Sequence, residues 1–265
     1  MTIEVQPDWW KSLFDEIYLL TDARSVADHD LTRREVDMLC ELLPLRKTDR
    51  ILDLCGGQGR HSLELARRGF TGCTVLDYST VLLEQGRTTA EATGCRLEFV
   101  QGDATATGLA AGSFDHVLIL GNSLGYLPEH QDDLRIVREA RRLLRPGGWL
   151  LIDVTDGEVV RKRFTPNAWH EIADDIVVCR QRVLDSKAIR CREMVLCKDK
   201  GLLRDQTYAI RTYATDMLEQ LVATAGLTRI TAQKGFASGH LEGDYGFMNH
   251  RLLVWAQNNP EATPD

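Results

Sequence analysis

Glycines and acidic side chains recur at a spacing that could bind a nucleotide-like ligand. Residues 50–53 are apolar enough for a short buried strand, residues 55–59 follow as a glycine-rich turn, and a helical pattern then runs to Gly69. A glycine turn between a strand and a helix directs backbone N–H groups and the positive end of the helix at a ligand above the strand. Such turns also arise because a tight connection needs positive φ, so the turn alone identifies no ligand.

Three further predicted strands end in small or polar residues. Residues 71–76 precede Asp77, which stands close to the ~20 residues after the glycine turn at which an acid contacts a ribose. Residues 97–100 precede Asp103, and residues 116–120 precede Asn122. Ligands of open parallel sheets bind outside the carboxyl ends of the strands. We therefore expect the four strand ends to converge on one site.

These residues resemble the first motif of class I S-adenosylmethionine-dependent methyltransferases, hydrophobic-hydrophobic-Asp-x-Gly-x-Gly-x-Gly. Residues 51–59 match it except at Cys55, which replaces the first glycine and indicates that the backbone there need not adopt a conformation reserved for glycine. Residues 144–150 are similar to the family's turn into its fifth strand. A dinucleotide site is the rival interpretation, but its Gly-x-Gly-x-x-Gly pattern would need a glycine at Ser62.

The resemblance implies S-adenosyl-L-methionine as the methyl donor and S-adenosyl-L-homocysteine as the product. It implies that Asp77 contacts the ribose and that Asp103 with Ala104 forms the adenine edge. The cofactor-binding residues predicted in this way are Asp53, Cys55, Gly56, Gly57, Gly59, Asp77, Tyr78, Asp103, Ala104, Gly121 and Asn122.

The implied reaction is an in-line SN2 transfer of the methyl group to nitrogen or oxygen of a small metabolite, in which the protein mainly positions the acceptor. RNA or protein methylation, or a dinucleotide-binding enzyme of similar fold, are the alternatives. The net charge of −7 disfavours a broad grip on phosphate backbones. The segment Asn122-Ser123-Leu124-Gly125-Tyr126 also lacks both prolines of the Asn/Asp-Pro-Pro-Tyr motif of base-methylating enzymes. Nucleic acid is therefore an unlikely partner.

The residues that would serve the acceptor are less well defined, because each has an ordinary structural explanation. A strand arginine is usually solvated or paired, and a lone histidine or tryptophan is more often structural. An arginine that faces a pocket would suit an acceptor carboxylate or phosphate. The catalytic candidates are Asn122, Tyr18 and His170, and the substrate-binding candidates are Trp169, Arg211, Tyr213 and Arg251.

The predicted fold is α/β, a doubly wound seven-stranded, mostly parallel sheet with a late antiparallel strand. Residues 1–44 are predicted to be N-terminal helices that form a lid, with one helix over residues 7–20, a charged loop over 21–30, and a helix that opens with a capping box at Thr32. Residues 45–160 and 214–257 form the cofactor-binding domain. Residues 161–213 read as an inserted meander of three antiparallel strands, an acceptor cover or dimer contact, and 258–265 as a disordered tail.

Composition is typical of a globular enzyme, and we expect the protein to be a monomer or homodimer. The 265 residues are 43% hydrophobic and 27% charged, and no apolar run approaches the ~18 residues of a membrane span. The seven cysteines are odd in number and show no metal-ligand spacing, which favours free thiols in the cytoplasm and no bound metal.

Overall fold

A computed structural model describes residues 2–26, 28–236 and 250–259. Strands β1 to β5 and the last two strands form one sheet, and the four between them form another. The strands are Arg50–Leu54 (β1), Gly72–Asp77 (β2), Glu98–Gln101 (β3), Phe114–Ile119 (β4), Leu144–Thr155 (β5), Asn167–Ile172 (β6), Ile176–Leu184 (β7), Ala188–Cys197 (β8), Gly201–Arg211 (β9), Thr228–Phe236 (β10) and Arg251–Gln257 (β11). The helices are Trp10–Leu13 (α1), Glu16–Val26 (α2), His29–Leu42 (α3), Arg60–Arg67 (α4), Thr80–Thr93 (α5), His130–Leu143 (α6), Gly157–Lys162 (α7) and Thr215–Thr224 (α8).

The larger sheet has the strand order β10-β11-β5-β4-β1-β2-β3. Strands β1 to β5 pair in parallel, whereas β11 runs antiparallel to both of its neighbours, β5 and β10. The predicted seven-stranded sheet with a late antiparallel strand is therefore confirmed. Strand β2 pairs with one edge of β1, and β4 pairs with the other edge. Because the connections turn to opposite sides at β1, a crevice opens at the carboxyl ends of these strands.

Helices cover both faces of this sheet because its strands are apolar on both faces. In β1, Leu52 and Leu54 pack in a cluster with residues of α6 and α8. Ile51, on the opposite face of the same strand, packs in a second cluster with residues of α3 and α4. Alternate side chains of one strand thus contribute to two hydrophobic cores, one on each face of the sheet, which is the doubly wound arrangement.

The N-terminal region differs from the prediction at three points. The expected single helix over residues 7–20 is two helices, because the Asp15 carboxylate accepts hydrogen bonds from the N–H groups of Ile17 and Tyr18 and starts a new helix there. The expected loop over residues 21–30 is helical as far as Val26. The next helix begins at His29, because Asp28 caps it; the predicted capping box at Thr32 is wrong.

The inserted segment contains four antiparallel strands in the order β6-β7-β8-β9, not three. The stretch predicted as one strand over residues 171–183 is interrupted by a turn at Ala173, whose φ is +51°, so β6 pairs back onto β7. The helix α7 was also missed; Asp156 caps it by accepting from the N–H groups of Glu158 and Val159.

The last described residues continue the sheet. Asn258 was assigned to a tail, but its N–H donates to the Gly148 carbonyl at 2.9 Å and its side-chain amide donates to the Leu144 carbonyl at 2.9 Å. The sequence also predicts a glycine-rich loop on the acceptor side over residues 235–249. Its residues 237–249 and the rest of the tail, 260–265, lie outside the described residues. Among the helices that the structure describes, none combines the length and the hydropathy that crossing a membrane requires.

Candidate active site

The glycine turn after β1 is held by its own backbone and by Asp77. The Gly59 N–H donates to the Gly56 carbonyl at 2.9 Å, and the Gly57 N–H donates to the Asp77 carboxylate at 2.8 Å. A Cβ on Gly56 would lie 2.6 Å from Asp53 Cγ, so the chain can pass over that carboxyl group only as glycine. Gly57 and Gly59 have φ of +58° and +71°, the left-handed region that glycine enters without strain.

Cys55 takes the same left-handed conformation, with φ of +62°. The expectation that this position need not adopt a glycine-type conformation is therefore wrong. A side chain in this region has a conformational cost of about 1–2 kcal/mol. The hydroxyl of Ser123, which follows β4, lies 2.7 Å from the Leu120 carbonyl and 3.2 Å from the Cys55 carbonyl, and its single proton can be donated to either oxygen.

Asp77 stands at the end of β2 with both carboxylate oxygens directed at backbone donors. One oxygen accepts from Gly57 and the other from the Ser79 N–H, also at 2.8 Å. Burial raises the pKa of Asp77 to about 6, although these backbone hydrogen bonds act in the opposite direction. The carboxyl group therefore links the glycine turn to the start of α5 and lines the cavity beside both.

Asp53 lies beneath the glycine turn and is fully buried. Its Oδ2 accepts from the Ser62 hydroxyl at 3.0 Å, and its Oδ1 has no hydrogen-bond partner among the described residues. Burial raises the pKa of Asp53, while the nearby His61 charge and the Ser62 hydrogen bond lower it. Asp53 lines the cavity, so a buried acceptor atom is available to a ligand donor there.

A buried ion network supports this layer from α3. Glu35 is 2% exposed, contacts Arg60, and lies 2.9 Å from His61 Nε2. Burial opposes ionisation of Glu35, but the hydrogen bond from His61 and the charge of Arg60 together lower its pKa. The helix α4, whose N-terminus forms part of the glycine turn, is thereby tied to α3.

The ends of β3 and β4 complete the edge of the site. Asp103 accepts hydrogen bonds from both the N–H and the hydroxyl of Thr105, at 2.8 and 2.7 Å. Asn122 has φ of +64°, and its side-chain oxygen accepts from the Thr155 N–H at 2.9 Å. Asp103, Ala104, Gly121 and Asn122 all line the same cavity, as the four converging strand ends predict.

This cavity has a volume of about 240 Å³ and lies between the larger sheet, the N-terminal segment and the four-stranded sheet. Of the predicted cofactor residues, Gly59 supports the turn without lining the cavity. The ten that line it are Asp53, Cys55, Gly56, Gly57, Asp77, Tyr78, Asp103, Ala104, Gly121 and Asn122.

Aromatic side chains form the wall that faces these strand ends. The Trp9 ring lies 5.4 Å from the Tyr126 ring and 5.7 Å from the Tyr208 ring, measured between centroids. Phe14 stacks on Tyr126 at 5.7 Å and meets Tyr18 edge-on at 5.0 Å. Tyr18, a predicted catalytic candidate, thus lines the cavity from α2.

Five predicted acceptor residues do not line this cavity. Arg211 forms an ion pair with the buried Asp133 of α6, and the Tyr213 hydroxyl donates to the same carboxylate. Arg251 is 1% exposed and donates to Asp153 at 2.8 Å, so it is a buried structural ion pair. Trp169 and His170 lie on β6, at the edge of the smaller sheet, and Trp169 is 68% exposed. The structure thus places all five outside the cavity lining, and their contact with an acceptor stays a prediction.

The structure adds residues that the sequence interpretation missed. Arg180 and Arg182 of β7 and Tyr208 of β9 line the cavity, together with Tyr126 after β4. The alternation of β7 places Val178, Arg180 and Arg182 on the same face of the strand, so the two arginines share a face with a core residue. Which face of the meander would turn toward the cavity was not readable from the sequence.

The strand order, the glycine turn after β1 and the acids at the carboxyl ends of β1, β2 and β3 form the class I methyltransferase architecture. Residues 51–148 match the sequence family described as methyltransferase domain. The matched part of the chain contains the glycine turn and the ends of the first four strands.

Individual relatives extend this similarity. The ubiquinone/menaquinone biosynthesis C-methyltransferase UbiE of Ruegeria sp. is 34% identical over 146 residues, which are 54% of this chain and 56% of that protein. An S-adenosylmethionine-dependent methyltransferase from Clostridium acetobutylicum has a TM-score of 0.72 at 14% identity, over 92% of this chain and 96% of its own. The S-adenosylmethionine-bound amino pentose methyltransferase CalS10 of Micromonospora echinaspora has a TM-score of 0.63 at 18% identity, over 94% and 99%. The chain thus spans just over half of the Ruegeria relative, and the structural likeness extends over both of its sheets.

Proposed function

We propose that this chain transfers a methyl group from S-adenosylmethionine to nitrogen or oxygen of a small metabolite. The observation that carries the proposal is the convergence of Asp53, the glycine turn and Asp77 on one cavity whose opposite wall is aromatic. A donor end and an acceptor end are thereby present in the same enclosed space. The domain match supports the donor, and the cavity supports an acceptor of small size.

The residues present fit the methyl donor. Asp77 would accept hydrogen bonds from the ribose hydroxyls, Asp103 would contact the adenine edge with Ala104, and the buried Oδ1 of Asp53 would accept from the amino group of the methionine part. Gly56, which has no Cβ, lets the turn pass close over Asp53. When bound, this donor supplies a methyl group already activated by the positive sulfur.

The protein's contribution to catalysis is mainly positioning. Holding an acceptor atom in line with the methyl carbon at about 3–3.5 Å can account for much of the rate. Tyr18 and Asn122 line the cavity and are the groups proposed to orient the acceptor. The Asn122 oxygen already accepts from Thr155, so its side-chain amide has a fixed direction.

A carbon acceptor is the second candidate, because the Ruegeria relative is by name a C-methyltransferase. RNA or protein methylation is less well supported, because the acceptor wall is enclosed by the N-terminal segment and the four-stranded sheet. We also propose that the protein works in the cytoplasm as a monomer or homodimer; its seven cysteines are all free thiols, which suits a reducing compartment.

Residues 1–44 are proposed as a lid and 161–213 as an acceptor cover. Both regions contribute cavity residues, Trp9 and Phe14 from the first and Arg182 from the second. The α/β domain between and after them would hold the donor.

The test is methyl transfer from S-adenosylmethionine carrying an isotopic label in the methyl group to fractionated metabolite extracts. Labelled product of low molecular mass, absent with an Asp77→Ala variant, is the expected result. NMR of the product then assigns the methyl to nitrogen, oxygen or carbon. Label found only in RNA or protein would contradict the small-metabolite proposal.

A further inference from the structure

The four-stranded sheet carries arginines on the face that it buries. Ile176 and Val178 begin this face of β7 as ordinary core residues, and Arg180 and Arg182 continue it at 5% and 3% exposure. Burial of a guanidinium group is unfavourable unless it meets acceptors. Both arginines line the cavity, so the wall opposite the glycine turn carries two guanidinium groups where an apolar strand face would be expected.

The register of the sheet separates the environments of these two arginines. Arg180 stands opposite Glu193 of β8, and its Nε donates to that carboxylate at 2.9 Å. Glu193 also accepts from Arg204 of β9 at 3.2 Å, so it lies between two guanidinium groups. Arg182 is in the next cross-strand row, opposite Cys191, which in turn pairs with Tyr208 of β9.

Aromatic rings surround the same part of the cavity. Tyr208, at the end of the Arg182 row, lies 5.7 Å from Trp9, and Trp9 lies 5.4 Å from Tyr126. Phe14 continues this wall by stacking on Tyr126 with an interplanar angle of 26°. Such a wall favours contact with a flat apolar ring. A positive side chain next to it favours an anionic group on the ligand and disfavours a permanent cation.

We infer that the methyl acceptor is a small molecule with a planar ring and an anionic oxygen group, either carboxylate or phosphate. The ring packs among Trp9, Phe14, Tyr126 and Tyr208, and the anion faces Arg182, which acts as a specificity residue. This inference rests on the proposed function, because it takes the cavity to be the acceptor site of a methyltransferase.

The test is calorimetry on the full chain saturated with S-adenosylhomocysteine, with probes in matched pairs. The carboxylate pair is indole-3-acetate and indole-3-acetamide, and the phosphate pair is phenyl phosphate and phenol. We expect at least one anion to bind at least tenfold more tightly than its neutral counterpart, and the pair that shows the preference identifies the oxyanion. Equal binding of anion and neutral counterpart in both pairs, or no binding of either anion, would overturn the inference.

Variants assign the preference to its residues. Arg182→Gln should reduce the anion preference to less than threefold, and Arg182→Lys should leave an intermediate preference because it keeps the charge without the guanidinium fork. Arg192→Gln is the matched control, since Arg192 pairs with Asp205 on the exposed face of the same sheet. Trp9→Leu should weaken both ring-bearing anions about tenfold, whereas Trp169→Leu, an exposed tryptophan outside the cavity, should not.

Full anion preference in a folded Arg182→Gln variant would remove Arg182 from the site. The titration of S-adenosylhomocysteine that precedes each experiment separates the two levels of failure. Without that binding the proposed function fails. With it, but without anion preference, only the acceptor class is wrong.

Discussion

At the scale of single residues, Asp77 connects the fold with the chemistry. Its carboxylate holds the glycine turn and the start of α5 by two backbone hydrogen bonds before any ligand is considered. Ribose hydroxyl groups would donate to the same carboxylate, which favours its charged form. Because burial raises the pKa of Asp77 to about 6, its ionisation falls within an accessible pH range.

Affinity for S-adenosylhomocysteine should therefore decline as the pH falls through 6. With a pKa of about 6 in the free protein, binding at pH 5 should be roughly tenfold weaker than at pH 7.5, because a proton must be displaced. Asp77→Asn should be weaker throughout and lose this dependence. Calorimetry at pH 5 and pH 7.5 measures the affinity of both proteins. A wild-type affinity that does not change with pH would contradict a role for the Asp77 charge in binding.

The same raised pKa gives the stability of the cofactor-free protein the opposite dependence on pH from that of cofactor affinity. The folded-state pKa lies above the ordinary value of 3.8, so the native state holds the proton more tightly than the unfolded chain does. The contribution of Asp77 is thus present below about pH 4 and lost as the pH rises through 6. When urea denaturation is measured from about pH 4 to above pH 6, the free energy of unfolding of wild type should fall more than that of Asp77→Asn.

Gly57→Val should weaken both folding and cofactor binding. The left-handed φ of +58° should cost about 1–2 kcal/mol for any other side chain. The new side chain would also enter the donor end of the cavity. Urea denaturation and calorimetry with S-adenosylhomocysteine measure the two effects.

Gly69→Val is the matched control for this prediction. Gly69 has φ of +91°, and a Cβ there would meet no atom within 4 Å. The control should lose stability only, with unchanged affinity. A folded Gly57→Val variant with wild-type affinity would contradict the assignment of the turn.

The sequence predicted the strand-end residues that line the cavity better than the residues of the opposite wall, for a physical reason. Asp53, Asp77 and Asp103 lie at the carboxyl ends of strands of one parallel sheet, so their positions in the chain fix their positions in space. Arg211 and Arg251 were chosen because arginines suit anions, but each compensates a buried carboxylate, Asp133 or Asp153. Such long-range partners leave no local pattern.

At the scale of elements, the N-terminal segment is fixed from two sides. Arg204 of β9 donates to the Leu13 carbonyl at 3.1 Å and also contacts Asp15, and the Ser79 hydroxyl donates to the Phe14 carbonyl at 2.6 Å. These contacts hold the break between α1 and α2 against both sheets. The aromatic wall of the cavity therefore depends on β9 and on the start of α5.

Replacing Arg204 with Met should destabilise the protein by about 3 kcal/mol, because it removes one partner of a buried ion network. Glu193 would keep its pair with Arg180 but lose the one with Arg204, and Asp15 would lose its contact with β9. Arg192→Met, which removes an exposed pair with Asp205 from the other face, should cost less than about 1 kcal/mol. Chemical denaturation measures the loss of stability in both variants. Equal small losses would mean that the buried ion network contributes little to stability.

Periodicity predicted most elements, and it failed where single side chains ended them. The helix predicted over residues 7–20 has an uninterrupted apolar face, but Asp15 starts a second helix within it. The missed turn between β6 and β7 depends on the positive φ of Ala173, a residue type that gives no turn signal. The alternating pattern predicted the strands of the meander, but it did not show which face of each strand is turned toward the cavity.

At the scale of the whole molecule, two sheets and the N-terminal segment enclose one cavity between a donor edge and an aromatic wall. The chain's net charge of −7 provides no general attraction for nucleic acid. Three arginines line the cavity, Arg60, Arg180 and Arg182, and the last two are buried. Size and charge together favour a small acceptor.

Binding of tRNA should accordingly be undetectable at roughly physiological salt, about 0.15 M, where non-specific attraction to phosphates is already screened. Fluorescence anisotropy with labelled tRNA measures it, with S-adenosylhomocysteine present so that the donor site is filled. Saturable binding at micromolar concentration that weakens steeply with salt would contradict a small-molecule acceptor.

The central claim is that the ends of β1, β2 and β3 bind an adenosine-containing methyl donor. Calorimetric titration of wild type and Asp77→Ala with S-adenosylhomocysteine, and of wild type with NAD, tests it directly. We expect one-to-one binding of S-adenosylhomocysteine, weakened by about 1.5–3 kcal/mol in Asp77→Ala, and much weaker binding of NAD. Tight NAD binding without a response to S-adenosylhomocysteine, or equal affinity in a folded Asp77→Ala variant, would contradict it.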